Sequence, residues 1–274
     1  MSGVTALIDG DIIVYSIGFF NDIVYYTVLG KEQFTYKKDA TKYCKDNGIA
    51  PKLIVKHHEA NDIKKSLDGI DWMIKEISKA TECDAVEVFL TGKDNFRVAV
   101  ATTAPYKGNR KDTPKPFHFK EMREYLVKGW EAQVVDGMEA DDALGIAQTK
   151  AEPESTIICS IDKDLLMVRG LHYNWTKKAF TKVDQFTGLK SFYTQLLTGD
   201  RTDNIIGLKG VGDVRAGKIL AGAKTEMWMY EQVCQAYKAE FGVPKYMDRL
   251  KENAALLYIR QFDAMEWTPP DERV

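Results

Sequence analysis

The chain has 274 residues, of which 45% are hydrophobic, and a formal net charge of −2. This length can bury a sizeable core, and the charge excludes a protein coated in basic residues, so any contact with nucleic acid must come from a local basic patch. Neither a run of about 18 apolar residues nor a secretion signal is present, and the four cysteines lack the spacing of a zinc site or disulfide framework. We therefore expect a soluble, cytoplasmic protein with no membrane partner, built as one α/β domain with a helical appendage.

Apolar segments bounded by turn residues alternate with segments of helical period, a pattern that is typical of a largely parallel sheet. We predict four core strands, at Val4–Asp9, Ala85–Thr91, Ala132–Val135 and Thr156–Ser160. Polar or acidic residues follow each of these strands. Because ligand sites in open α/β sheets lie beyond the carboxyl ends of the strands, we expect these residues to converge.

Other elements are predicted from turn residues and helical spacing. Ile23–Tyr36 predicts a hairpin, and a helix should follow from Lys38 to Asp46. Residues 61–79 carry apolar side chains at helical spacing and should pack on the sheet. We interpret four tryptophans as core or packing residues: Trp72, Trp130, Trp175 and Trp228.

Acidic residues form four short clusters along the chain. These are Asp9 and Asp11; Glu139, Asp141 and Asp142; Asp162 and Asp164; and Asp200 and Asp203. One such cluster is equally well explained as a solvated helix start, and Asp11 in particular is either a supporting group or a helix cap. Four clusters weaken that explanation, because massed carboxylates repel one another unless cations compensate, and oxygen ligands suit Mg²⁺ or Mn²⁺. We predict a site for two such cations, which can hydrolyse a phosphodiester, although phosphatases and nucleotide hydrolases use the same chemistry.

A basic segment, residues 105–111, lies between the second core strand and a helix predicted from His118 to Lys128. Its cationic residues are Lys107, Arg110 and Lys111, and Tyr106 offers a face for base stacking. This composition is suited to a single-stranded end of a nucleic acid, and the alternative is an ordinary solvated loop.

Residues 199–220 predict a helix, a glycine-rich turn and a second helix. Gly210 and Gly212 would present unhindered backbone N–H groups to a phosphate. The competing interpretation is a P-loop at Gly212–Lys218. It is disfavoured, because Ile219 stands where Ser or Thr should hold Mg²⁺.

The order of these motifs, IDGD, YKGNR, MEADDALG, SIDKDLL and TGDRTDNIIGLKGVGDVRAGKIL, resembles the flap endonuclease and 5′→3′ exonuclease family over roughly residues 4 to 222. The short length is similar to the phage or bacterial branch. The resemblance implies an α/β, PIN-like, largely parallel central sheet flanked by helices. It also implies a catalytic region at residues 1–189 with a helical arch at about 95–120, and a helix-three-turn-helix and C-terminal helices at 190–274.

The resemblance also assigns roles to residues. It implies that one metal is held mainly by Asp9, Glu139, Asp141 and Asp142, and that the second is completed by Asp162, Asp164, Asp200 and Asp203. Lys107 and Arg110 match the arch residues that act on the scissile phosphate, and Tyr106 matches an aromatic that stacks on a base. Gly210 and Gly212 match a phosphate anchor at which K⁺ can mediate the contact with DNA.

One position departs from the family pattern. The family places an Asp directly after the second core strand, whereas this chain has Gly92 there. Asp94 is the candidate to replace it from a shifted position.

We therefore expect a Mg²⁺-dependent 5′→3′ exonuclease, with flap endonuclease and RNase H activities as further candidates. Its substrates would be DNA with 5′ ends, nicks or flaps, or an RNA–DNA hybrid, in a bacterial or phage-infected cytoplasm. Two alternatives stay open: a PIN-type ribonuclease, and a catalytically silent, structure-specific DNA-binding module. The sequence identifies no protein partner.

Overall fold

The computed structural model describes residues 3–30, 32–110, 113–263 and 267–273. The strands are β1 (Thr5–Asp9), β2 (Ile23–Val28), β3 (Glu32–Phe34), β4 (Ile54–Glu59), β5 (Ala85–Thr91), β6 (Gln133–Val135), β7 (Thr156–Cys159), β8 (Gly170–Asn174), β9 (Ala179–Val183), β10 (Gly199–Asp200) and β11 (Ile205–Ile206). The helices are α1 (Gly10–Asn21), α2 (Lys37–Asp46), α3 (Ile63–Thr81), α4 (Phe96–Val100), α5 (Phe119–Gly129), α6 (Ala140–Lys150), α7 (Gln185–Thr198), α8 (Asp213–Ile219), α9 (Glu226–Phe241) and α10 (Lys245–Leu257).

The chain divides into two compact units. The first comprises Met1–Ile12, Glu76–Thr113 and Leu126–Val274, and the second comprises Ile13–Lys75 and Pro114–Tyr125. The functional boundary predicted near residue 190 does not coincide with this division, because the C-terminal helices belong to the same unit as the large sheet. That boundary stays a prediction about function.

The sheet of the first unit has the strand order β6-β5-β1-β7-β8-β9, and every neighbouring pair is parallel except β8 with β9. All four predicted core strands lie side by side in it, which confirms the mostly parallel α/β fold. Strands β8 and β9 were not predicted. Polar His172 and Asn174 interrupt the apolar pattern of β8, and β9 is an antiparallel edge strand whose first four residues are exposed.

The C-terminal helices build the main core of the first unit. One cluster of buried side chains runs from Leu7 and Phe89 in the sheet through Tyr193 in α7 to Tyr237 in α9 and Leu257 in α10. Of the helix, glycine-rich turn and helix predicted at residues 199–220, the structure contains the turn and the second helix, α8. The prediction of the first helix was wrong, because α7 ends at Thr198 and the residues after it form the short antiparallel pair β10 and β11. No helix in the described ranges combines the length and apolarity needed to cross a membrane.

The second unit contains a separate antiparallel sheet with the order β3-β2-β4. The predicted hairpin is confirmed as β2 and β3, and α2 packs on the sheet through Ala40 and Cys44 against Val28. Strand β4, with the sequence IVKHHE, was not predicted because it is largely polar. Trp72 in α3 is 59% exposed, so its assignment to the core was wrong.

Candidate active site

Asp9 ends the central strand β1 and is buried. Its Oδ1 accepts a hydrogen bond from the backbone N–H of Ile12 at 3.0 Å, and its Oδ2 accepts one from the Ser160 hydroxyl at 2.9 Å. Asp11 instead accepts a bond from the Thr91 N–H at 2.9 Å. Asp9 therefore caps the start of α1, while Asp11 fastens that start to the end of β5.

Several acids converge at the carboxyl ends of β1 and β7, as the strand order requires. Burial, followed by the nearby charges of Asp11 and Asp162, raises the pKa of Asp9 to about 7. Burial and the charges of Asp9 and Asp162 raise the pKa of Asp141 well above its ordinary value. Burial, then Asp162 and Asp200, raises the pKa of Asp164 to about 7. Asp162 acts on all three groups, so these acids form one continuous cluster.

Glu139 immediately precedes α6 and faces three donors. Its carboxylate pairs with the Lys107 ammonium, accepts from the Tyr106 hydroxyl at 2.7 Å, and lies 3.6 Å from the Arg97 guanidinium. The Tyr106 hydroxyl also lies 2.9 Å from Asp203. A phenol has one proton to donate, so it serves only one of these two carboxylates at a time.

The charge of Lys107 is maintained by these acids. Burial lowers the pKa of its ammonium, but the charges of Glu139 and Asp203 outweigh that effect and leave the pKa above its ordinary value. Lys107 also lies 5.1 Å from the centre of the Tyr106 ring. Tyr106 is therefore held among charged groups, and its role in base stacking stays a prediction.

Residues 105–110 of the basic segment are hydrogen-bonded to the loop at residues 201–204, which contains Asp203. The Lys107 N–H donates to the Asp203 carbonyl at 2.9 Å, and the Arg110 guanidinium donates to the Asp203 carboxylate at 2.6 Å. The side-chain amide of Asn109 donates to the Arg201 carbonyl at 2.7 Å, and that of Asn204 donates to the Pro105 carbonyl at 2.9 Å. These bonds fix the cations beside the acids. Lys111 lies outside the described residues.

Asp142 is the acid whose environment differs most from the one the resemblance implied. It is fully buried and forms two hydrogen bonds, of 2.6 and 2.9 Å, with the guanidinium of buried Arg97. It also accepts from the N–H groups of Glu139 at 3.1 Å and Arg260 at 3.0 Å. Four donors satisfy all the lone pairs of a carboxylate, which leaves this one no oxygen to offer a metal.

The chain's departure from the family pattern at Gly92 has a steric cause. A Cβ added at Gly92 would lie 2.1 Å from the Asp136 carboxylate and 2.7 Å from the Val135 carbonyl. Asp136 itself accepts a bond from the Lys93 N–H at 2.6 Å. Asp94 is exposed, has φ of 60°, and is not among the groups that shift the pKa of the clustered acids. The structure does not bring Asp94 to the site.

A groove of about 710 Å³ leads away from the acid cluster along α7. Asp164, Asp200 and Gly212 all line it, together with Lys163 and Lys190. Additional space lies open around Gly212, where an added Cβ would meet nothing within 4 Å. The groove thus joins the acids to the glycine-rich turn.

Three contributors to the site were not recognised in the sequence. Arg97, which lies ahead of the basic segment in the sequence, is buried and pairs with Asp142. Ser160 holds Asp9, and the side-chain amide of Gln195 in α7 donates to Asp164. Of these three residues, only Ser160 could have been identified from the sequence, because it directly follows β7. Among the described residues, no three acidic, histidine or cysteine side chains form a ready cage for a metal ion. Lys107, Arg97 and Arg110 pair with three of the acids, Glu139, Asp142 and Asp203.

Comparisons with known proteins agree with this geometry. The family model for the 5′-3′ exonuclease N-terminal resolvase-like domain matches residues 50–193, just over half of the chain. DNA polymerase I of Geobacillus stearothermophilus is 30% identical over 184 residues, which cover 60% of this chain and 21% of the relative. The flap endonuclease Xni of Vibrio campbellii is 31% identical over 168 residues, covering 54% of this chain and 60% of the relative. The exodeoxyribonuclease of Enterobacteria phage T3 is 29% identical over 119 residues, covering 41% of this chain and 39% of the relative.

The chain thus spans about a fifth of the polymerase relatives and less than two thirds of the other two. Among solved structures, the T5 D15 protein co-crystallised with metal ions has a TM-score of 0.52 at 16% identity, covering 92% of this chain and 85% of that chain. The T5 5′-exonuclease with bound zinc has a TM-score of 0.52 at 18% identity, covering 92% and 84%. At this identity the likeness shows a shared fold.

Proposed function

Because the chain belongs to the 5′-3′ exonuclease family, we propose that it hydrolyses phosphodiester bonds near the 5′ ends of duplex or flapped DNA with the help of divalent cations. The observation that carries this proposal is the fixed juxtaposition of the acid cluster with the basic segment. Lys107 pairs with Glu139, and Arg110 pairs with Asp203.

The composition of the acid cluster fits hard divalent cations. Its donors are oxygens, and burial together with like charges raises the pKa of Asp9, Asp141 and Asp164. Bound cations relieve that repulsion. We assign the ligands to Asp9, Glu139 and Asp141 for one ion and to Asp162, Asp164, Asp200 and Asp203 for the other, and leave Asp142 out. When bound, two such ions polarise the phosphodiester and lower the pKa of the attacking water.

The protein's own residues orient the substrate. Lys107 and Arg110 are placed to neutralise the charge that develops on the scissile phosphate. The groove along α7 offers a path for a sugar–phosphate strand between the acids and the turn at Gly210 and Gly212, whose backbone would contact phosphate without reading sequence. We also propose that K⁺ mediates the contact between this turn and DNA. DNA binding should therefore be tighter in K⁺ than in Li⁺ at equal ionic strength.

The test uses internally labelled DNA with a 5′ flap, a nick or a blunt 5′ end. Each substrate is incubated with Mg²⁺, with Mn²⁺ or with EDTA, and products are resolved by length. We expect metal-dependent release from the 5′ side, and the product ladder distinguishes stepwise from flap cleavage. An RNA–DNA hybrid in the same assay tests RNase H activity.

Two matched variants make the assay specific to the acid cluster. Asp141→Asn should abolish cleavage and retain DNA binding, because it removes ligand charge but leaves the turn intact. Asp94→Asn, at an exposed acid outside the cluster, should cleave normally. Near-normal turnover by Asp141→Asn would contradict the assignment of Asp141 as a metal ligand. Cleavage restricted to single-stranded RNA would favour the PIN-type ribonuclease, and structure-selective binding without cleavage would favour the silent module.

A further inference from the structure

The last turns of α10 contact the chain just before the basic segment. The Glu252 carboxylate accepts hydrogen bonds from the N–H groups of Thr102 and Thr103, both at 2.7 Å, and from the Thr103 hydroxyl at 2.6 Å. Three bonds to one side chain fix the chain three residues ahead of Tyr106.

The same helix also holds the acidic loop from its other end. The Arg249 guanidinium bonds to Glu252 at 3.1 Å and donates to the Ile206 carbonyl at 3.0 Å. Asn253, which is buried, donates to the same carbonyl at 2.9 Å. One pair of oppositely charged side chains therefore contacts both the chain just before the basic segment and strand β11, which follows the loop that contains Asp203.

The backbone at and just after the end of α10 contacts Arg97 and Asp142. The carbonyls of Leu256 and Tyr258 each accept a bond from the Arg97 guanidinium at 2.9 Å. The Arg260 N–H donates to Asp142, the partner of Arg97. The end of α10 and the residues after it are thus connected through Arg97 and Asp142 to the start of α6.

We propose that this part of the chain is a clasp that sets the position of Lys107 relative to the acids, with Glu252 as a positioning residue. The clasp consists of the side chains of Arg249, Glu252 and Asn253 and the backbone of Leu256, Tyr258 and Arg260. The inference rests on the proposed function, since it assigns the clasp a catalytic effect through Lys107. The clasp lies outside residues 50–193, the part of the chain that the family model matches.

The reason for a catalytic effect is the local backbone. Residues 101–105 form neither helix nor strand, and Lys107 has φ of 53°, in the left-handed region that lysine rarely adopts. The backbone here is held at Lys107 by the Asp203 carbonyl and at Thr102 and Thr103 by Glu252. Releasing one side allows a shift, and a misplacement of about 1 Å can cost roughly 100-fold in rate.

The experiment compares Glu252→Ala with Lys251→Ala in the full chain. Lys251 is the adjacent residue on α10, and its ammonium pairs with Glu272 instead. For Glu252→Ala we expect kcat on flapped DNA to fall about 10- to 100-fold while KM changes less than about threefold. Lys251→Ala should match the wild type. Glu252→Gln keeps an oxygen acceptor for the two N–H groups and should restore most of the rate.

A double-mutant cycle distinguishes positioning from general support. In a Lys107→Ala background, Glu252→Ala should have almost no further effect on kcat, because both act through the same ammonium. Fully additive losses would overturn the proposal. Thr103→Val removes one of the three bonds without changing α10, and should give a smaller fall in kcat even if Glu252→Ala folds poorly.

Hydrogen exchange gives a readout that does not depend on activity. The amides of Thr102, Thr103 and Lys107 should exchange faster in Glu252→Ala than in Lys251→Ala. Unchanged exchange together with unchanged kcat would overturn the clasp while wild-type cleavage keeps the proposed function. Absence of cleavage by the wild type would overturn the proposed function and the catalytic role of the clasp together.

Discussion

Replacing Arg97 with methionine would leave a buried carboxylate without its cation. The Arg97 and Asp142 side chains are 3% and 0% exposed, so water cannot replace the lost partner. The substitution also removes the donor from the carbonyls of Leu256 and Tyr258. Only the N–H groups of Glu139 and Arg260 would still donate to Asp142.

The expected loss of stability follows from these contacts. Removing one partner of a buried ion pair typically costs about 3–5 kcal/mol. The entropy of unfolding, about 2.1 cal/mol/K per residue, amounts to roughly 0.6 kcal/mol/K for a chain of 274 residues. The unfolding temperature of Arg97→Met should therefore fall by about 5–9 °C.

Thermal unfolding followed by circular dichroism in EDTA measures this shift without any contribution from bound metal. Arg169→Met makes the same substitution at an exposed arginine and should change the free energy of unfolding by less than about 0.5 kcal/mol. The double variant Arg97→Met/Asp142→Asn should lose less than the sum of the two single losses, because each single change leaves the other group unpaired. A melting temperature for Arg97→Met within about 1 °C of the wild type would refute this reasoning.

Three further predictions address charge, the glycine-rich turn and pH. Lys107→Ala should lower kcat about 100- to 1,000-fold with little change in DNA affinity, and a loss confined to affinity would contradict a role in the transition state. Gly212→Val should weaken DNA binding regardless of sequence and leave the melting temperature unchanged, because the added side chain meets open space and φ is −107°; equal affinities in a titration would remove the anchor. The pKa of Asp9 rises from 3.8 to about 7 on folding, so the folded state binds more protons and the metal-free protein should lose stability as the pH rises from about 4 to about 7. Melting in EDTA across that range should show a shallower decline for Asp9→Asn, and an identical decline would reject the assignment.

The sheet was predictable because its strands are short apolar runs followed by acids. Short apolar runs bounded by turn residues predicted β1, β5, β6 and β7, and the position of ligand sites beyond the carboxyl ends of parallel strands predicted that Asp9 and Asp162 converge. Strands β4 and β9 were not predicted, because many of their residues are exposed and their sequences are not strongly apolar. The contrast reflects burial, which is what a hydrophobic pattern records.

Side-chain partners were less predictable than positions. A motif can place Asp142 beside Asp141, but on the first turn of a helix consecutive side chains point in different directions, and only the fold shows that Asp142 faces Arg97. Arg97 lies 45 residues before Asp142 in the sequence, and no sequence pattern around it indicates that it is buried. The same limit applies to Gln195 and to Glu252, whose contacts depend on how distant helices pack.

The crowding at Gly92 limits how this active site can change. A single substitution of Gly92 by aspartate would drive its Cβ into the carboxylate of Asp136, and a smaller residue at position 136 would in turn leave the Lys93 N–H without its acceptor. Replacing Asp136 would also not be sufficient, because the Val135 carbonyl would still lie 2.7 Å from the added Cβ, and that carbonyl accepts a hydrogen bond from the Gly92 N–H. Gly92→Asp should therefore be damaging with Asp136 present, and Asp136→Ala should relieve only part of the damage, so that an acid directly after β5 requires a shift of the β6 backbone as well.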